Sequence, residues 1–152
     1  MSFLEQFYDL GDYAASRPVP LAVDRELEEE NKMAHSTEFF ALDTNDLPWE
    51  SRSHPRLPEP IFRKLLHTDE ETGVLFQLVR YPRGVVNPNH THPCAHAMYV
   101  LEGALVTHKG RFGPGSFIWF PEGEVMSHGA TADGDVTVLL VSNKAFSIQY
   151  VE

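Results

Sequence analysis

Residues Gly84–Gly103 read GVVNPNHTHPCAHAMYVLEG, and the phase of this stretch decides the fold. It places His90, His92 and His96 within seven positions of a chain that has eight histidines in all. In an extended strand alternate side chains share a face, so His90, His92, His96, Met98 and Val100 point the same way provided no bulge intervenes. On a helix, side chains four apart stack, and His92 and His96 have that spacing. Pro88 and Pro93 flank the first pair, however, and Ala97–Leu101 is apolar without helical caps. A helical zinc-protease site also needs Glu directly after its first histidine, where Pro93 stands. The stretch is read as extended. Its three imidazoles are expected to meet a fourth, His128, on one metal ion inside a small β-barrel.

Outward from this stretch the chain reads as short strands separated by Gly and Pro turns, the pattern of a sandwich or barrel. Strands are expected over 61–67, 74–81, 97–102, 104–108, 116–120, 124–130, 135–142 and 146–151. Residues 69–73 and Gly103 are turns, and 109–115 is a turn region. Thr37–Leu42 is a further expected strand, and Asn45–Pro60 a Pro-rich loop. Before them, Ser2 to Asp9 reads as a short helix with an apolar face of Phe3, Leu4, Phe7 and Tyr8, in which Ser2 and Glu5 form a capping box. Asp24–Ala34 reads as a second helix with its acids early, where the helix dipole favours them. The chain thus divides into an N-terminal helical and extended arm, 1–36, and a β-barrel domain, 37–152.

A chain of 152 residues suits one domain with a full core. With 22 acids against 12 bases, the net charge of −10 disfavours nucleic acid and anionic membranes as partners. The N-terminus has acids where a signal peptide needs bases, and no stretch approaches the ~20 apolar residues of a membrane span. The single cysteine, Cys94, excludes an internal disulfide and a cysteine-rich zinc module. A cytoplasmic location is the expectation.

Two spaced motifs resemble those of the cupin superfamily. The first is Gly84, five residues, His90-Thr91-His92, three residues, His96, six residues, Gly103; the second is Gly115, five residues, Pro121-Glu122-Gly123, four residues, His128. The resemblance covers roughly residues 60–150 and implies a double-stranded β-helix, or jelly-roll barrel, all-β apart from a short N-terminal helical extension. It also implies His90, His92, His96 and His128 as metal ligands. His96 stands where the family usually has Glu, and the gap from Gly123 to His128 is longer than the commonest form. The first departure resembles all-histidine cupins, among them manganese cupins and some diketone-cleaving dioxygenases. Direct ligation by His96 stands beside a role as hydrogen-bond donor behind three ligands. Many cupins are dimers, and a homodimer is expected here.

Four neutral imidazoles leave the full charge of a divalent ion uncompensated, which favours anionic ligands, and imidazole suits Fe, Mn, Ni, Cu and Zn alike. Alternation nominates Phe76, Leu78, Met98, Val100, Trp119 and Met126 as inward. Of these, Met98, Trp119, Met126 and Phe76 are the expected pocket lining for a small-molecule substrate. An apolar lining favours a small aromatic or diketone-like molecule. Tyr81, Tyr99 and Glu102 are open candidates for a proton relay; none is selected as catalytic. Cys94 reads as a small buried residue, and His35, His54, His67 and His108 as surface or structural.

The leading functional expectation is a mononuclear non-heme dioxygenase acting on a small enolisable or aromatic substrate. The alternatives are a redox-neutral metal-dependent lyase, isomerase or hydrolase, and a non-catalytic metal-binding sensor. The last rests on a resemblance of the segment from Gly73 through the histidines to the cupin domain of zinc-binding anti-sigma regulators.

Overall fold

Apolar side chains at alternate positions, cut by Gly and Pro, give strands that must bury one face against another sheet. The computed structural model describes residues 34–152, and in it two antiparallel sheets meet in this way. The first contains, in spatial order, β1 (Glu50–Arg52), β2 (Ile61–Thr68), β3 (Leu75–Tyr81), β10 (Val136–Ser142), β5 (His96–Glu102) and β8 (Phe117–Phe120). The second contains β11 (Gln149–Tyr150), β4 (Val86–Thr91), β9 (Met126–Ala130), β6 (Leu105–Thr107) and β7 (Gly110–Phe112). The described residues are all-β but for the helical Ala34, as the strand pattern predicts. The helix expected over 2–9 and all of the one expected over 24–34 except its last residue, Ala34, which is helical, lie outside the described residues.

The core between the sheets is built from Val79, Val100, Leu105, Val136, Val138 and Leu140, with Met98 and Met126 among them. Each such side chain contributes about 1.5–3 kcal/mol on leaving water. Two glycines are needed where backbones crowd. Gly103 turns the chain at φ 76°, and a Cβ there would lie 2.0 Å from the carbonyl oxygen of Asp135. A Cβ on Gly129 would lie 2.2 Å from the carbonyl oxygen of Val85, at the crossing of β4 and β9. Among the described residues no helix is long and apolar enough to cross a membrane.

Three expectations are corrected. Residues 37–42 form no strand; this segment leads into a stretch laid across the first sheet, with the Phe40 ring 5.4 Å from that of His67 and the Lys64 ammonium donating to the Thr44 carbonyl at 2.7 Å. The Pro-rich loop 45–60 contains β1, held beside β2 by Glu50, which accepts from Arg63 Nε at 3.1 Å. The turn region 109–115 contains β7, which pairs with β6 through a tight turn.

The histidine stretch is not one strand. It is β4 of the second sheet, a turn at 92–95, and β5 of the first sheet, so it carries the chain from one wall of the barrel to the other.

Candidate metal centre

His90 and His128 belong to adjacent strands of the second sheet. Asn87 lies opposite His128 and His90 opposite Met126, so β4 spends one more residue than β9 over this interval. That bulge reverses the alternation, and Asn87 and His90, of opposite parity, are both buried inward. Asn87 is held by the Tyr150 hydroxyl, which donates to its Oδ1 at 2.7 Å.

His92 and His96 are placed by the turn. The backbone N–H of Gly123 donates to the His92 carbonyl at 3.0 Å, which ties the second glycine-proline motif to the first histidine motif. Asn143 clamps the far side: its Oδ1 accepts from Ala95 N–H at 3.1 Å, and its own N–H donates to the Ala95 carbonyl at 3.1 Å. His96 then opens β5 opposite Phe120 and Ser142. Cys94 is fully buried within the turn, and burial raises its thiol pKa to about 11, so it is neutral.

All four imidazoles are buried. The His90 ring lies 4.8 Å from those of both His92 and His128; His96 is 4.7 Å from His92 and 6.2 Å from His128. One ring nitrogen from each of His90, His92 and His128 lies within 4.8 Å of the others, the spacing for shared ligation. His96 adjoins this trio without belonging to it.

Hydrogen bonds set the tautomers. His90 Nδ1 meets the Pro88 carbonyl at 2.6 Å, and His92 Nδ1 meets the Ser147 carbonyl at 2.5 Å. A carbonyl accepts only from N–H, so both Nδ1 atoms carry the proton and both Nε2 lone pairs face inward. His90 Nε2 lies 3.1 Å from His128 Nε2, and His128 Nδ1 lies 3.2 Å from the Tyr81 hydroxyl. That chain satisfies His90 and His128 by themselves. It leaves His92 Nε2 and both nitrogens of His96 buried without a hydrogen-bond partner among the described residues. Orphaned buried nitrogens are costly unless a ligand meets them, and inward lone pairs are what a metal requires. The residues therefore fit a transition-metal ion.

Burial keeps these imidazoles in the ligating, neutral form. It lowers the pKa of His90, takes that of His92 to about 4 and that of His96 to about 3, and holds His128 well below its ordinary value. Among the described residues no carboxylate joins the cluster to offset a bound cation.

Met98 and Met126 are fully buried and Val100 lies beside them, all inward. Trp119 and Phe76 are not. Trp119 is 53% exposed on the outer face of β8, while its neighbour Phe120 is buried. On β3 the inward residues are Leu75, Gln77, Val79 and Tyr81; Phe76 and Leu78 face out. The aromatic rings against the cluster are instead Phe120, stacked on His96 at 4.8 Å, and Phe146, 4.3 Å from the His92 ring. Phe120 was accessible from its place just before Pro121 of the second motif. Phe146 lies between strands and had no signal. Of the relay candidates, Tyr81 alone reaches the cluster; Tyr99 and Glu102 are exposed. The other histidines serve elsewhere: His35 beside Glu70, His54 stacked on Tyr150, His67 between Phe40 and Phe76, and His108 bonded to Glu124.

Two antiparallel sheets closed around a buried histidine cluster define a cupin. Residues 37–147 match the ChrR cupin-like domain, and the chain belongs to that family. None of the functionally curated proteins matches it. Solved structures with the same fold include the polyketide cyclase RemF from Streptomyces resistomycificus, 22% identical over 76% of this chain and 87% of that one, with a TM-score of 0.63. A cupin-like protein from Thermotoga maritima is 19% identical over 72% and 89%, with a TM-score of 0.62. A provisionally assigned acetylacetone dioxygenase from Methylibium petroleiphilum PM1 is 12% identical over 77% and 83%, with a TM-score of 0.65.

Proposed function

We propose that this cupin holds one divalent transition-metal ion through His90, His92, His128 and His96, and uses it to cleave a small enolisable or aromatic substrate with dioxygen. The observation that carries this reading is the set of buried nitrogens on His92 and His96 that have no partner among the described residues, beside the rings of Phe146 and Phe120. When bound, a redox-active ion of Fe, Mn, Ni or Cu supplies electrophilic polarisation of a substrate that presents two oxygens, and electron exchange with dioxygen. The chain's own residues do the rest. The Pro88 and Ser147 carbonyls hold the His90 and His92 rings in one orientation. Phe120 and Phe146 pack against the His96 and His92 rings and exclude water from them. Tyr81, at His128 Nδ1, steadies that ring. With no carboxylate in the cluster, an anionic, deprotonated substrate is favoured.

The test is oxygen consumption on a panel of β-diketones and phenols, with isotopically labelled dioxygen. Uptake of one dioxygen per substrate cleaved, with both labelled atoms in the products, supports the dioxygenase. A second reading, redox-neutral Lewis-acid chemistry, is favoured by the likeness to a polyketide cyclase. Turnover of a substrate with zinc bound and no oxygen uptake would establish it in place of the first.

A further inference from the structure

Of the inward residues of β3, Leu75 and Val79 belong to the core, and Tyr81 reaches His128 Nδ1 at 3.2 Å. Gln77 has neither role. It is 4% exposed, and its Oε1 is buried with no hydrogen-bond partner among the described residues. Its cross-strand partners, Leu65 and Leu140, have apolar side chains. An unpaired carboxamide oxygen in such a place destabilises the fold, and leucine or methionine would fill the position without that cost. Asn87, a second inward carboxamide, shows the ordinary arrangement: its Oδ1 accepts from the Tyr150 hydroxyl at 2.7 Å.

The register sets Gln77 beside the histidine cluster. Both ends of the inward row of β3 meet that cluster or its neighbour. Tyr81 touches His128, and the N–H of Leu75 donates at 3.1 Å to the hydroxyl of Ser142, the cross-strand partner of His96. Gln77 stands between these ends on the same face. Leu140 of β10 pairs with both Gln77 and Met98, so Gln77 lies across β10 from β5 and one inward position along from His96. Strand spacings of about 4.8 Å and a rise of about 3.4 Å per residue put the Gln77 and His96 Cα atoms roughly 12 Å apart. A single-ring molecule held at the ion, with one polar substituent, comes within reach of the amide.

We propose that Gln77 determines substrate specificity, by accepting a hydrogen bond at Oε1 from a hydroxyl or N–H group of the substrate. The assignment rests on the reading of the histidines as a metal site and narrows the substrate class. The molecule binds the ion through oxygens as an anion, and it carries a further donor group remote from the ion. A hydroxylated enol, pyrone or phenol satisfies the amide. An unsubstituted β-diketone leaves it unpaired and is the poorer ligand, because the site then keeps a desolvated acceptor without a donor. Gln77 touches no group at the ion, so it decides which molecule is held and not what the ion does.

The probes are kojic acid and allomaltol, titrated by calorimetry into the full chain loaded with zinc. Both chelate through the same pair of oxygens, and allomaltol has a methyl group where kojic acid has a hydroxymethyl. The wild type should prefer kojic acid by about fivefold, the effect of one neutral hydrogen bond. Gln77→Met keeps the length of the side chain and removes the amide. It should take up zinc as before and bind the two ligands equally. A second readout needs no metal: loss of an unpaired buried amide should raise the urea midpoint of the metal-free chain, whereas loss of an amide that holds the core together would lower it. Gln77→Leu repeats both measurements with a different shape. Equal affinities in the zinc-loaded wild type, a preference that survives both substitutions, or a midpoint that falls in both would overturn the proposal and leave the metal site standing. A chain that takes up no zinc, seen before any ligand is added, would end the metal reading and this assignment with it.

Discussion

His90 and His128 sit on neighbouring strands of one sheet, whereas His92 and His96 are delivered by a turn that crosses to the other. The first pair is fixed by ladder register and one bulge, and its nitrogens satisfy one another and Tyr81. The second pair is fixed by Ser147, Asn143 and Gly123, and its remaining nitrogens meet no hydrogen-bond partner among the described residues. A sheet can thus hold half of a site in a relaxed hydrogen-bonded state while a clamped turn keeps the other half poised. Affinity for the ion should therefore depend most on the turn.

The largest expected effect is from His92→Ala, which removes the inward lone pair shared with the trio. It should abolish stoichiometric metal, measured by elemental analysis after gel filtration; full occupancy would break the comparison. His96→Gln should come next. Outer hydrogen-bond partners of metal ligands are commonly worth about 10–100-fold in affinity, and a direct ligand should exceed that range. A fall within it, read by competition with a chelating dye, would place His96 behind the ligands instead.

Acid should act on the same pair. The folded pKa values of about 4 for His92 and about 3 for His96 lie below the ordinary 6.5. Between those values the unfolded chain binds more protons than the folded one. The contribution to stability of the metal-free protein is thus complete above about pH 6.5 and is lost as pH falls towards 4 and then 3. Urea midpoints across this range should show the decline for the wild type and a shallower one for His92→Ala. The smallest effect is expected from Asn143→Ala, which leaves the buried Ala95 N–H without its acceptor. It should cost about 1–3 kcal/mol of unfolding free energy and weaken the ion less than either histidine substitution.

The convergence of His90, His92 and His128 was legible because two spaced motifs in the right order carry them. The inward places of Met98, Val100 and Met126 followed from alternation. His90 and His96 both turn inward, but not along one continuous strand: the bulge in β4 lies before His90, and a break at 92–95 carries the chain to the other sheet. Phe76 and Trp119 were misplaced for one physical reason. LFQLVRY and FIWF are apolar on both faces, so alternation gives no anchor for which residue turns inward. The outer apolar face that hid the phase is the one on which Tyr99, Phe117 and Trp119 stay exposed. Residues 37–42 misled in a related way, since Phe40 is spent on covering that face rather than on strand pairing. The Asn143 and Ser147 contacts had no sequence signal, because they depend on a fold that brings residues about 50 positions apart together.

The most direct test of the central claim is elemental analysis of the protein purified without added metal, followed by titration of the metal-free chain with divalent ions. One transition-metal ion per chain, lost in His92→Ala, is the predicted result. A wild-type chain that carries none and takes up none of Fe, Mn, Ni, Cu or Zn would contradict the account.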